Sequence, residues 1–273
     1  MSAGNGNWPS EMLIARNISL TLGRREILAD ISLRLEPGKV TAIMGPNGAG
    51  KTSLLRILSG EWLPRTGSVE MNGQPLGAIP VRRLGQLRAY LHQESSLNFA
   101  FTVLEVALLG RSPHMRGSER PEDYAAARRA LAEVDLGDRE DDLYTALSGG
   151  EKQRVHLARV LAQIDEDSIK DPRYLFLDEP TNNLDLSHQR TIYRAVRTIA
   201  AKGMAVCMVV HDLNQAIQVA DKLTLLEKGR IALEGTPEEI AWSPECERIF
   251  GVSLKRIEIP GSTCPYLIFD STN

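Results

Sequence analysis

Short apolar runs broken by turn residues open the chain. Leu13–Leu22 and Ile27–Leu35 pattern as strands, parted by the turn cluster Gly23-Arg24-Arg25. Pro37-Gly38 then precedes Val40–Met44, a short apolar run of the kind buried in a sheet. Gly45–Gly50 interrupts it, and Lys51–Leu58 has helical spacing that stops at Gly60. Gly67–Met71 predicts another strand, ending in the turn Asn72-Gly73. From Thr102 to about Gln163 the period changes: Val103, Val106 and Ala107 recur at three and four, and Tyr124–Val134 forms a second amphipathic stretch. Strand-like runs return at Tyr174–Leu177, Ala205–Val210 and Lys222–Leu226, with helices between them. This order predicts an α/β core with an all-helical lobe inserted.

The remaining stretches set the boundaries. Gln163–Pro172 is polar and predicts a surface loop. Thr236-Pro-Glu-Glu begins a helix, and Phe250–Phe269 suggests closing strands. The expected organisation is a disordered tail at 1–11 and a nucleotide-binding core at 12–93 and 164–235. The helical subdomain takes 94–163, and a C-terminal helix with closing strands takes 236–273.

Composition narrows the function more by exclusion than by indication. With 273 residues, 25% charged and 42% hydrophobic, the chain suits a globular protein with a sizeable core. A formal net charge of −3 gives no basic excess, so nucleic acid is not an expected partner. Tightly apolar stretches such as Met204–Val210 fall far short of the ~20 residues that cross a bilayer. Met1–Glu11 lacks the basic and apolar regions of an export signal. Cys207, Cys246 and Cys264 have neither the number nor the spacing of a disulfide framework or zinc site and are expected to be reduced thiols.

Candidate chemistry starts at Gly45-Pro-Asn-Gly-Ala-Gly-Lys51-Thr52, which matches GxxxxGK[ST] between an apolar strand and a helix. Glycines there let successive backbone N–H groups curl around phosphate oxygens at the positive end of a helix dipole. The expected nucleotide contacts are Gly45, Pro46, Asn47, Gly48, Ala49, Gly50, Lys51, Thr52 and Ser53. Lys51 would reach the β- and γ-phosphates, and the Thr52 hydroxyl would ligate Mg²⁺. Farther on, Tyr174–Leu177 runs into Asp178-Glu179-Pro180 and delivers two carboxylates to the C-terminal edge of a buried strand, the usual ligand crevice of an α/β sheet. Neighbouring strand residues face opposite ways. Asp178 is therefore expected to bind Mg²⁺ and Glu179 to polarise the attacking water.

Leu147-Ser-Gly-Gly-Glu151-Lys-Gln153 precedes a helix. Ser148 and Glu151 form a capping-box pattern, so helix initiation alone is one explanation. Two glycines in the first turn weaken a helix, however, and suit a phosphate approaching the backbone closely. With this segment the sequence resembles the ATP-binding cassette family, whose signature is LSGGQ, over about Leu13–Gly235. The resemblance implies a P-loop NTPase core, a RecA-like mixed sheet with an antiparallel β edge, carrying an inserted α-helical subdomain. It also implies a head-to-tail dimer, in which Ser148, Gly149 and Gly150 of one copy meet the γ-phosphate held by the other.

Further residues take roles by the same resemblance. Gln93 matches the Q-loop glutamine, facing Mg²⁺ and the attacking water. Asn183-Leu184-Asp185 matches the D-loop at the dimer interface, and His211 the switch histidine on the γ-phosphate. The family usually stacks an aromatic residue on adenine upstream of the phosphate loop. Here Leu20 or Leu22 occupies that region, with no aromatic between Met12 and Met44, so the base contact is expected to be aliphatic.

One cassette, no membrane span and a short helical lobe resemble a separately encoded transport motor. A soluble, non-transport cassette is the alternative. The segment Asp178–Gln189, ending in LDxxHQ, and Gly110-Arg-Ser-Pro-His114 resemble importers of iron chelates, haem and cobalamin. The insertion Ile164–Pro172 is similar to the haem branch, with ferric siderophore or cobalamin as alternatives. The implied cofactors and partners are ATP, Mg²⁺, a second copy of the chain, two copies of a multi-span permease and, indirectly, a substrate-binding protein. The implied location is the cytoplasmic face of the inner membrane. His114 and His188 are expected to be structural, not haem ligands. Leu97, Phe99 and Phe101 are expected either to pack in the core or to face the permease.

Overall fold

A computed structural model describes residues 11–93, 97, 99–166 and 168–269. Two long strands, β1 (Leu13–Leu22) and β2 (Arg25–Leu35), pair as an antiparallel hairpin. Strand β3 (Val40–Met44) is buried along its whole length and leads through the glycine loop into helix α1 (Lys51–Leu58). Next come β4 (Thr66–Met71), β5 (Gln74–Pro75), α2 (Val81–Leu87) and β6 (Arg88–Leu91). Helices α3 (Val103–Leu108), α4 (Pro121–Glu133) and α5 (Gly149–Ile164) then pack on one another. The alternation resumes with β7 (Tyr174–Asp178), α6 (Leu186–Ala201), β8 (Ala205–Val209), α7 (Leu213–Val219), β9 (Lys222–Glu227) and β10 (Arg230–Gly235). The described chain closes with α8 (Pro237–Trp242), α9 (Glu245–Phe250) and the pair β11 (Leu254–Ile257) and β12 (Tyr266–Phe269).

The central sheet has the order β10-β9-β3-β8-β7-β6 and is parallel except for its β9–β10 edge. A second sheet, β2-β1-β4-β5, is antiparallel. The pleat divides each central strand between two cores. Leu175, Leu177, Val206 and Met208 face a core shared with α3–α8. Tyr174, Phe176, Cys207 and Val209 face a second core shared with α1 and the antiparallel sheet. Each buried Leu, Val or Phe contributes about 1.5–3 kcal/mol, which explains why these strands carry almost no polar side chains. Where the parallel strands end, the carboxylates and the glycine loop emerge together.

The strands and helices expected from patterning are found, along with several that were not expected. Strand β6 carries Ala89-Tyr-Leu beside β7, and α2 precedes β6, while β10 forms an antiparallel edge of the kind the resemblance implied. The C-terminal segment holds two short helices, not one. The polar segment after Ile164 is tied down: Arg173 Nη1 donates to the carbonyls of Ile164 (2.5 Å) and Glu166 (3.0 Å). Cys207 and Cys246 are buried free thiols, and burial pushes Cys246 up to about 11. The expected tail at 1–11 lies, except for Glu11, outside the described residues. Among the described residues no helix is long and apolar enough to cross a membrane.

Candidate nucleotide site and signature surface

The glycine loop bends from β3 into α1 at Gly50, whose φ of +99° belongs to the left-handed region. A Cβ at Gly50 would also stand 2.7 Å from Leu28 Cδ2, so the loop is closed against the β1–β2 hairpin. Lys51 is buried at the start of α1, and its Nζ donates to the carbonyls of Gly45 (2.9 Å) and Pro46 (3.2 Å). Burial lowers its pKa, while the charges of Glu179 and Asp178 oppose that shift. The ammonium is thus held at the cradle by two weak carbonyl partners, and phosphate oxygens would replace them with charge-assisted bonds.

Asp178 ends β7 almost fully buried and accepts bonds at both oxygens. Thr52 Oγ1 donates to Oδ1 at 3.1 Å, and Tyr90 Oη, from β6, donates to Oδ2 at 3.1 Å. Burial raises the Asp178 pKa against these two bonds. A nearby cation would restore the ionised form. Thr52 and Asp178 form an oxygen-only donor pair, which suits a hard cation such as Mg²⁺. Tyr90 was not singled out in the sequence. Its signal was indirect: an aromatic hydroxyl in the strand next to the acidic one, paired with Phe176 in register.

Glu179 follows with φ +50°, a conformation that costs a non-glycine residue of order 1–3 kcal/mol. Its carboxylate is surrounded: Gln93 Nε2 donates at 2.8 Å, Asn182 Nδ2 donates at 3.2 Å, and His211 Nε2 pairs with the other oxygen. The acidic strand end, the Q-loop position and the switch position therefore converge on one carboxylate. Asn182 had not been expected there.

The remaining expected residues form a separate group. Ser148 is the N-cap of α5 in a full capping box: Glu151 N donates to Ser148 Oγ (3.3 Å), and Ser148 N donates to Glu151 Oε2 (2.8 Å). The backbone bond from Ser148, with help from Arg139 at 2.9 Å, holds the Glu151 carboxyl below its usual range. Helix capping and glycine exposure therefore coexist. Beyond its own helix turn, no described residue lies within 4 Å of where a Cβ on Gly149 would stand. Gly150 differs, because its missing side chain leaves room for the His188 ring. Asp185 caps α6 by accepting from His188 N at 3.0 Å. Among the described residues no hydrogen bond or ion pair joins Ser148–Gly150 or Asp185 to residues 45–52.

Other expectations resolve locally. Leu20 is core, whereas Leu22 is 48% exposed, so only Leu22 is open to a base. Leu97 and Phe101 pack against the core, and Phe99 is 68% exposed, its ring 6.0 Å from that of Phe101. His114 is buried, with Nε2 2.7 Å from the Gln163 carbonyl. A cleft of about 800 Å³ is lined by Arg82, Arg83, His114 and Arg116 among others, and none of the nucleotide-site residues lines it.

A parallel sheet whose strand ends present a phosphate loop and an acidic pair, interrupted by a helical lobe with its own exposed helix start, defines a nucleotide-hydrolysing cassette. The model of the ABC transporter family matches residues 28–182. A hemin import ATP-binding protein from Gloeobacter violaceus is 46% identical over 94% of both chains. Another, from Myxococcus xanthus, is 45% identical over 94% of this chain and 96% of its own. Among solved structures, an inward-facing ABC transporter described as of metal-chelate type matches with TM-score 0.80 and 26% identity, over 96% of this chain and 98% of the other. A dimeric bacterial ABC transporter cassette matches with TM-score 0.71 and 25% identity, over 83% and 99%. This chain belongs to the ABC transporter family and is an ATPase of that family.

Proposed function

We propose that this chain is the motor of a hemin importer, working as a head-to-tail pair of copies beneath a multi-span permease at the cytoplasmic face of the inner membrane. One observation carries the two-copy reading. Among the described residues, the elements suited to one triphosphate fall into two groups that share no hydrogen bond or ion pair: Lys51, Thr52 and Asp178 in one, Ser148–Gly150 and Asp185 in the other. A second copy can bring the missing half to each site. The hemin assignment is supported by relatives 40–46% identical, several covering 94% of this chain, that are named for hemin import.

In this reading residues 45–53 hold ATP, with Lys51 on the terminal phosphates. Thr52 and Asp178 hold Mg²⁺ and Gln93 faces it, and the bound ion would neutralise phosphate charge. Glu179 orients the attacking water and takes its proton, while Gln93 and His211 fix the carboxylate, Gln93 facing the water and His211 the γ-phosphate. Ser148, Gly149 and Gly150 act on the nucleotide of the other copy, and Asp185 lies at the junction. Residues 12–93 and 164–235 form the core, 94–163 the helical subdomain and 236–273 the closing segment. ATP favours the closed pair, and that preference shifts the attached permease halves. Two permease copies and, through them, a substrate-binding protein complete the machine.

The test is uptake by the reconstituted complex, with hemin, a ferric siderophore and cobalamin compared. ATP-dependent hemin accumulation, absent with the other two, is expected. Transport of either alternative without hemin overturns the assignment.

A further inference from the structure

The segment ending in LDxxHQ contains two residues, His188 and Gln189, that the hydrolytic roles above do not use. Both lie in the first turn of α6, directly after the cap Asp185. Each reaches out of its helix to a different element of the site. The His188 ring lies over Gly150: a Cβ there would stand 2.7 Å from Nε2 and 2.9 Å from Cγ, closer than real contacts allow. The same ring nitrogen lies 3.8 Å from Asp185 Oδ2. Only about a quarter of the His188 side chain is exposed, so the ring is committed to this seat. Gln189 Nε2 donates to the Leu184 carbonyl at 3.0 Å, and Gln215 Nε2 donates to Gln189 Oε1 at 2.9 Å. Gln215 belongs to α7, the helix that follows His211, and its backbone N–H donates to Asp212 Oδ1 at 2.9 Å.

From these contacts we infer that His188 is a positioning residue, locking the signature turn of α5 to the start of α6 so that Ser148–Gly150 and Asp185 move as one body. The physical case rests on shape. Gly149 and Gly150 give the first turn of α5 little intrinsic stiffness, and each lacks the side chain that would otherwise fix it. A planar ring seated on Gly150 supplies the stiffness from outside. Gln189 fixes the start of α6 through Leu184 and Gln215, which ties the ring's helix to the element carrying His211. Gly150 thereby has a reason to be glycine that lies within its own chain, whereas Gly149 faces open space.

The inference rests on the reading that Ser148–Gly150 act on the nucleotide of a second copy, so the test has to separate the two ideas. His188→Ala, Gly150→Ala, the double variant and Ser148→Arg are compared in the full chain. Four quantities are measured: binding of a fluorescent ATP analogue by single cassettes, their melting temperature, ATP-driven dimerisation in the Glu179→Gln background, and ATPase kcat. For His188→Ala, analogue binding and thermal stability stay at the unsubstituted level. Dimerisation weakens and kcat falls about tenfold, the scale expected when a reacting geometry is loosened by a fraction of an ångström to one ångström. Gly150→Ala lowers the melting temperature of the single cassette, because the new methyl collides with the ring, and the double variant recovers it to the His188→Ala level.

Unchanged dimerisation and kcat in His188→Ala, in a protein where Ser148→Arg abolishes both, overturns the inference. A double variant no more thermally stable than Gly150→Ala also overturns it, since the ring would then not be the source of the clash. If Ser148→Arg leaves dimerisation and kcat intact, the trans-acting reading of the signature fails, and the inference fails with it.

Discussion

Arg111 is the most consequential buried charge outside the nucleotide site. Its side chain is 2% exposed, and it ties four partners into one knot. Nε donates to Asp123 Oδ1 (3.1 Å), Nη1 to the carbonyls of Ala162 (2.8 Å) and Asp165 (2.7 Å), and Nη2 to Glu166 Oε2 (3.1 Å). The knot joins the end of α3, the first turn of α4, the end of α5 and the polar segment that follows. Arg111→Ala would strand Asp123, which is completely buried, with the Arg120 backbone N–H (3.1 Å) and the more distant Arg120 Nε. Breaking one side of a buried pair costs about 3–5 kcal/mol. At roughly 2–4 °C per kcal/mol for a protein of this size, the melting temperature falls by on the order of 10 °C. Arg111→Lys keeps the charge but not the fork, and loses about 1.5–3 kcal/mol.

The same knot gives a signed pH dependence. Burial would push Asp123 up, but bonds from Arg111 and the Arg120 N–H bring its pKa below the usual value. Glu166 is likewise lowered against burial, by Ser168 and Arg111. Carboxylates lowered in the folded state stabilise it fully above their unfolded pKa of about 4, and that contribution is lost as pH falls through the lower folded values. The gap between unsubstituted protein and Arg111→Ala should therefore be widest near neutrality and narrow below about pH 4. Urea unfolding followed by tryptophan fluorescence across pH measures it. A gap under about 1 kcal/mol at neutral pH, or one independent of pH, would refute the reasoning.

Three further outcomes concern activity. Tyr90→Phe removes a bond that lowers the Asp178 pKa, so the acid limb of the kcat profile should move to higher pH and kcat fall up to about tenfold, with nucleotide binding retained. Glu179→Gln should keep ATP binding, lose about a hundredfold or more in kcat and accumulate the closed dimer on size-exclusion chromatography; near-normal turnover would remove Glu179 as the base. Phe99→Asp, at an exposed ring, should abolish co-purification with the permease while ATP binding stays intact, and an intact complex would place docking elsewhere.

Much of this was readable because it is contiguous. The strand–glycine loop–helix at 40–58 and the apolar strand ending in Asp178-Glu179 state their chemistry within a few residues, since backbone geometry dictates both the order and the residue types. Long-range pairings were not readable. Tyr90 meets Asp178 only because β6 lies beside β7 in one register; Asn182, though just three residues from Glu179, reaches its carboxylate only through a left-handed turn that no residue type there announces. Gly110-Arg-Ser-Pro-His114 marked a subgroup in the sequence. The structure gives it a mechanical cause: a Cβ on Gly110 would overlap the Arg159 carbonyl, Arg111 makes the knot and His114 bonds Gln163.

Glu151 is where the signature departs from its family pattern, and it places a negative charge at the helix end that the proposed function sets against phosphate. Arg139, which also pairs with Asp142, supplies the opposite charge from outside the motif. The five-letter motif is thus an incomplete unit of inheritance. A lineage that drifts from glutamate to glutamine leaves Arg139 to Asp142 alone, and one that loses Arg139 first leaves an anion facing an anion. Positions 139 and 151 are expected to change together across descendants of this chain.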